Sequence, residues 1–269
     1  MSPFLKRIAG ALALVPALSG AAAVAAEPDD RLERIRQARE VRVCIWPDYY
    51  GISYRHPLTR QLAGIDIDLA QALGKDLDVE VRFVDSSFAK LFDDVLGDRC
   101  DVAMFAIGIT PARQEKLRFT SPYLASDIYA ITTRSNRRIR TWDDIDRPGV
   151  VVAVARGTLH EPVMRERLRQ AQLAVLDTPH AREQEVESGR ADVFMTDFPY
   201  SRRMLASTDW ARLVAPTSTY HVTPYAWAVA PGDERWWQEM EGFVARIKRD
   251  GRLSAAARRH GLVPIVVEP

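Results

Sequence analysis

The chain is short of lysine. Only five of its 37 basic residues are lysine and the other 32 are arginine, which reads as a coding bias, not a function. Thirty-six acidic residues bring the formal net charge to +1, so no field of one sign draws in nucleic acid or an anionic membrane. Arginine-rich runs such as residues 134–140 read as solvated surface. Histidine is scarce and scattered, and only two cysteines are present, so no metal-ligand spacing forms; neither a metal nor a cofactor is expected. Glycine forms no phosphate-cradling loop, and no nucleophile elbow occurs. Ser86, Ser87, Ser121 and Ser201 fall into no triad arrangement.

The apolar stretch over residues 8–18 is too short to cross a bilayer and contains Pro16. Lys6 and Arg7 precede it, and small residues over 21–26 follow it. That is the secretory signal pattern, with cleavage expected after Ala26. No cysteine stands at the exit to carry a lipid anchor. The mature protein is expected to be soluble and periplasmic. Export permits a disulfide between Cys44 and Cys100. Spacing alone leaves two alternatives open, a bridge or two small buried hydrophobes.

What is present is an ordinary globular chain of 269 residues, 47% hydrophobic, enough for one large domain or two small ones. Strand-like runs at 41–46, 79–84 and 101–107 alternate with helical periodicity after Gly64 and after Ser87. Asp66 or Asp68 is placed to cap the first of those helices. The rhythm pauses over 134–149 and restarts with strands at 150–155, 173–176 and 192–195. A late strand at 225–230 and helices at 236–248 and 253–260 close the chain, with an extended tail after residue 263. The alternation predicts parallel α/β sheets. Residues 99–104 (RCDVAM) and 190–195 (RADVFM) share four of six positions, an echo compatible with two similar lobes. The late strand is expected to return to the first lobe, with crossings near 126–128 and 222–225.

One stretch carries most of the chemistry. Residues 105–123 leave an apolar run containing Phe105 and Ile107, pass Gly108, and enter a short helix at Thr110-Pro111, a good cap and a good first helical residue. Arg113 then falls in the first turn beside free backbone amides, where a planar guanidinium makes a carboxylate socket. Its bland alternative is a surface arginine. Asp197 follows a strand directly, where open α/β sheets place ligands, but it also suits a helix cap. Thr158 after Gly157 reads either as an anion contact or as a cap. Tyr49, Tyr50, Phe88 and Phe105 are candidates for pocket wall or for core.

These residues resemble a known family. Gly64-Ile-Asp-Ile-Asp-Leu with Ala70, Leu73, Gly74 and Leu77, then Gly108-Ile-Thr-Pro-Ala-Arg113 with Phe119-Thr-Ser-Pro-Tyr123, are similar to the periplasmic solute-binding proteins of ABC transporters, family 3. Gly157-Thr158 and the run 189–197 resemble that family's second-lobe segments. The resemblance implies a two-lobed, type II binding fold with two hinge strands. Lobe 1 would take residues 27–127 and 224–269, and lobe 2 residues 128–223. It implies a monomer that binds an amino acid or related small carboxylate and delivers it to an ABC permease. Arg113 would clamp the α-carboxylate, with Gly108, Thr110 and Thr158 assisting. Asp197 would pair with the α-ammonium. Tyr49, Phe88, Phe105 and Ile107 would line the pocket. Phe105 and Ala106 stand where relatives of basic specificity carry small hydroxyl residues, which leans toward an apolar or aromatic ligand. The chain also resembles an enzyme of the same fold, the periplasmic cyclohexadienyl dehydratase. That enzyme's glutamate, three residues after the aspartate of a Thr-Asp pair, is Tyr200 here, and Glu161 is one residue out of step. No enzyme activity is therefore expected. A ligand-sensing module acting in trans is the third reading.

Overall fold

The computed structural model describes residues 30–178 and 180–268; the expected signal peptide lies outside them. Helix α1 (Arg31–Ala38), capped by Asp30, leads into β1 (Glu40–Ile45). A two-rung ribbon, β2 (Tyr54–Arg55) and β3 (Leu62–Ala63), precedes α2 (Ile65–Leu77). Strand β4 (Glu80–Asp85), α3 (Leu91–Leu96) and β5 (Val102–Gly108) follow. Next come α4 (Pro111–Gln114), β6 (Arg118–Phe119) and β7 (Leu124–Ser126). The second rhythm runs β8 (Tyr129–Thr133), β9 (Val151–Ala155), α5 (His160–Arg167), β10 (Gln172–Leu176), α6 (Ala181–Glu187), β11 (Val193–Thr196), α7 (Phe198–Ser207) and β12 (Ala211–Val214). Strand β13 (Thr223–Val229), α8 (Glu234–Arg249) and α9 (Arg252–His260) complete it. A 3-10 turn at Val263–Ile265 stands where an extended tail was expected.

Two main sheets result, and the molecule is two-lobed. One has the order β4-β1-β5-β13-β6, with β7 also on β13; the other has the order β10-β9-β11-β8-β12. In each, three strands run parallel and a strand from elsewhere in the chain joins antiparallel, β13 against β5 and β8 against β11. Every residue of β5 is buried, as expected of a central strand covered on both faces. The crossings between lobes lie side by side, with Thr223 opposite Ser126 and Tyr225 opposite Leu124. Asp127 clasps them, accepting from the amides of Ile128, Tyr220 and His221 at 2.7–2.9 Å.

The sequence echo has a structural counterpart. The Asp101 amide donates to the Arg42 carbonyl at 2.8 Å, and the Asp101 carboxylate accepts from the Arg42 amide at 2.7 Å. Asp192 does the same with Val151 at 2.9 Å in both directions. Each aspartate closes a pair of parallel strands at its starting end, and each also binds an arginine, Arg42 or Arg138.

Asp66 is not a helix cap. Gly64 occupies that position, and Asp68 is held outside by Arg259 and His260. Asp66 is fully buried and accepts from the Ala106 amide (2.9 Å), the Tyr123 hydroxyl (2.6 Å) and Trp227 Nε1 (2.9 Å). Those donors come from three elements, so the carboxylate ties α2 to β5, β13 and the segment before β7. At Ala106 the backbone takes a left-handed φ of 49°, and the β5–β13 register shifts alongside, between Ala226 and Ala228. Such a turn is costly for a residue with a Cβ; the Asp66 hydrogen bond holds it.

Cys44 and Cys100 are bonded, with Cα atoms 5.6 Å apart, and both are buried. The bridge joins β1 to the lead-in of β5 across 56 positions of sequence. Reducing it, or replacing both cysteines by alanine, is expected to cost about 2–5 kcal/mol, read as a lower urea midpoint. Burial pushes the Asp66 carboxyl up to about 6 despite its three donors. The folded state then holds that proton more tightly than the unfolded chain, so its contribution falls as pH rises from about 4 to about 6. Asp66→Asn removes this slope and loses an acceptor. Its stability cost is therefore expected to be larger at pH 4 than at pH 7, by roughly 2 kcal/mol.

Candidate functional site

The carboxyl ends of the parallel strands in both sheets face one cleft, the position at which open α/β sheets bind ligands. Trp46 after β1, Ala106 on β5, Ala155 on β9, and Thr196 with Asp197 at the end of β11 all line it. The cleft has an outer chamber of about 400 Å³ and an inner one of about 20 Å³. Trp46, Phe88, Thr158, Arg182 and Tyr200 wall both, so the two are continuous.

Arg113 lies behind Phe88, its guanidinium 5.4 Å from the ring centre. Thr110 caps α4 by accepting from the Arg113 amide at 3.3 Å, so the short helix aims this side chain. Arg113 Nη1 donates to the Gly108 carbonyl (2.8 Å), and Nη2 crosses the cleft to the Gly157 carbonyl (2.9 Å). The residue is only 6% exposed, and among the described residues no carboxylate lies within ion-pair distance. Burial pushes the guanidinium down to about 10, so it keeps its charge at neutral pH. Gly157 brings the lobes close. Its φ is 76°, and a Cβ there would stand 2.9 Å from the Ala89 backbone.

Asp197, at the end of β11, lines the inner chamber and caps a helix. Its Oδ1 accepts from the Tyr200 amide at 3.2 Å as the cap of α7. Its Oδ2 accepts from the hydroxyls of Tyr49 and Tyr225, the latter at 3.0 Å. Burial pushes this carboxyl above its ordinary range, and the Tyr49 hydroxyl and the Tyr200 amide pull against that. Tyr49 thus reaches the cleft through its hydroxyl as well as its ring, which packs 5.2 Å from Trp46 and 6.0 Å from Phe88.

The other expected residues divide. Thr158 lines both chambers and donates to the Ala155 carbonyl at 2.7 Å. Phe88 lines both. Phe105 lines neither, but packs edge-on against Phe88 at 5.1 Å. Ile107 sits in the sheet opposite Ala226, away from the lining, and its neighbour Ala106 lines the inner chamber instead. Tyr50 is exposed, lines neither chamber and packs edge-on against Tyr54. Tyr200 is a buried phenol under Arg182, whose guanidinium lies 4.4 Å from its ring centre. Glu161 accepts from the Gly157 amide and binds Arg165, and it lines neither chamber.

Several cleft residues escaped the sequence reading, among them Trp46, Tyr225, Arg182, Glu183 and His160. Arg182 and Glu183 open α6, both buried, joined at 3.0 Å from Nε to Oε1. His160, at the start of α5, lines the inner chamber with neither ring nitrogen hydrogen-bonded. Burial and the nearby Arg182 charge push its imidazole down to about 3, so it stays neutral. The signal for this group was weak. An Arg-Glu pair at a helix start looks like any solvated face until the fold turns it inward.

The geometry can be set beside known proteins. The profile of the bacterial extracellular solute-binding proteins, family 3, matches residues 41–262. The chain is 34% identical over 200 residues to the cyclohexadienyl dehydratase of Pseudomonas aeruginosa, covering 73% of each chain. It is 27% identical over 208 residues to the L-cystine-binding protein TcyJ of Escherichia coli, covering 74% of each. Among solved structures it is similar to an ancestral amino acid-binding protein described as a precursor of cyclohexadienyl dehydratase. That match has a TM-score of 0.77 and 29% identity over 85% of this chain and 98% of the other. With most of its described length matched, the chain belongs to the bacterial extracellular solute-binding proteins, family 3.

Proposed function

We propose that this protein is the periplasmic binding component of an ABC importer and captures an amino acid or related small carboxylate between its lobes. The observation that carries this is Arg113, a charged guanidinium buried behind Phe88 between the lobes, hydrogen-bonded to carbonyls and to no carboxylate among the described residues. A buried cation without a counter-ion is expensive, and a ligand carboxylate supplies what is missing. In this reading Arg113, with Gly108, Thr110 and Thr158 around it, takes the carboxylate. Asp197 takes the ammonium in exchange for a tyrosine hydroxyl, and Tyr49 and Phe88 cover the ligand. The two groups belong to different lobes, residues 27–127 with 224–269 and residues 128–223. Ligand therefore favours the closed arrangement over the open one, with the paired crossings as hinge. The protein acts as a monomer and is exported by a cleaved leader.

A lyase is the second reading, favoured by the identity to cyclohexadienyl dehydratase. The place expected to hold its acid is the phenol of Tyr200, and Glu161 is engaged at the Gly157 amide. Binding without turnover is the reading supported by this arrangement. Incubation with prephenate or arogenate is expected to yield no phenylpyruvate or phenylalanine above background; either product would reverse the choice.

A bound amino acid at a hundredfold over its Kd is expected to raise stability by about 2.7 kcal/mol, visible as a thermal shift. Arg113→Met is expected to weaken binding by about 100-fold or more, about 2.8 kcal/mol. The same change removes an unpaired buried charge, so the ligand-free unfolding midpoint is expected to hold or rise. A variant that still binds at wild-type strength would remove the central support of this reading.

A further inference from the structure

We infer that Arg203 of α7, seconded by its neighbour Arg202, is a latch between the lobes. It sets how readily the cleft closes, and so how strongly any ligand is held, without touching the ligand. This rests on the amino-acid reading of the cleft and adds the regulation of that site. Neither arginine lines either chamber, and neither does Tyr54, the ring they work against.

Arg203 belongs to lobe 2 but spends its guanidinium on lobe 1. Nη1 donates to the Asp48 carbonyl at 3.2 Å. The guanidinium lies 5.0 Å from the ring centre of Tyr54 and 5.5 Å from that of Tyr200. Tyr200 shares its helix, whereas Tyr54 is on β2 and Asp48 on the loop after β1. Asp48 is met from lobe 2 a second time, its carboxylate 3.7 Å from His180 Nε2. Arg202 reaches lobe 1 at another point. A Cβ built on Gly261 would stand 3.4 Å from Arg202 Nη2, so this guanidinium lies against the end of α9. Helix carbonyls give that end a partial negative charge, and Arg259 and His260 of the same turn are occupied with Asp68.

Each of these contacts joins protein to protein across the cleft. Tyr200 stays beside Arg203 whatever the lobes do, so it holds the guanidinium ready. The bond to Asp48 and the contact with the Tyr54 ring exist only when the lobes meet. A hydrogen bond from a charged donor and a cation over an aromatic face both favour the closed arrangement. Whatever stabilises one of two arrangements shifts the population toward it. A ligand that needs the closed arrangement binds with an apparent affinity reduced in proportion to the fraction of chain that is closed. The latch raises that fraction for every ligand by the same factor. Arg113 and Asp197 differ in this respect, because their proposed contacts depend on the ligand's own groups. Arg203 and Asp48 are both partly exposed, so water weakens the latch enough for it to bias closure without locking it.

A distance measurement tests the latch before any ligand is added. Spin labels at Asp93→Cys on α3 and Glu187→Cys on α6, both exposed positions, report the gap between lobes in the full chain after co-purified small molecules are removed by unfolding and refolding. The short distance of the closed structure is expected to be populated, and its share is expected to fall several-fold in Arg203→Ala. A short distance that is absent from the parent, or that keeps its share in the variant, overturns the latch and leaves amino-acid binding standing. Calorimetric titration with the common amino acids supplies the second readout. Arg203→Ala is expected to raise the Kd of each one that binds by about 10-fold, with the order of preference unchanged. Arg202→Ala is expected to raise it a few-fold. Tyr54→Leu removes the ring from the lobe 1 side, and its effect is expected to add less than fully to that of Arg203→Ala, as for two residues in contact. An unchanged Kd in Arg203→Ala, or a changed order of preference, overturns the assignment. Absence of binding by every amino acid overturns the amino-acid reading, and the distance measurement then decides the latch alone.

Discussion

A guanidinium taken out of water without an anion to meet it is the constraint around which this cleft is built. Arg113 is held by two carbonyls, one from its own lobe and one from the other. Carbonyl oxygens carry only partial charge, so they solvate the cation without neutralising it. The fold tolerates this because α4 is rigidly started by Thr110-Pro111 and because Phe88 covers the guanidinium. Stability given up at such a site is the usual accompaniment of a binding function.

Asp197, on the other lobe, links the two by hydrogen bonds. Its carboxylate accepts from Tyr49 of the first lobe and from Tyr225 on the strand that returns there. One buried acid thus holds the two lobes together through phenol hydrogen bonds. The hinge keeps this geometry repeatable, since both crossings share one pair of hydrogen-bonded strands clasped by Asp127. Asp66 does comparable work inside lobe 1, where it stabilises the left-handed turn at Ala106 that shapes the inner chamber.

The internal echo of the sequence acquires meaning only in this frame. Asp101 and Asp192 close equivalent strand pairs in the two lobes, each by the same two-way bond with a neighbouring strand. Two lobes that solve the same local problem with the same residue present their strand ends to each other in the same way. The cleft lies between those ends.

Much of this was legible in the chain. Alternating periodicity gave the parallel strands and helices because a buried strand and an amphipathic helix have different repeat lengths, and the caps at Thr110 and Asp197 are local chemistry. Of the residues named from position after a strand or at a helix start, Asp197, Thr158, Tyr49 and Phe88 line the cleft, while Arg113 lies behind Phe88. What only the tertiary structure decided depends on distance between residues far apart in sequence. Whether Cys44 meets Cys100 is such a question. So is whether Asp66 caps a helix or serves three distant donors, whether Phe105 or Ala106 faces the chamber, and whether Arg182 and Glu183 lie on a solvated face or in a wall. Local sequence sets which face of an element is apolar; it does not set what the packing brings opposite, and opposite groups decide charge, pKa and ligand.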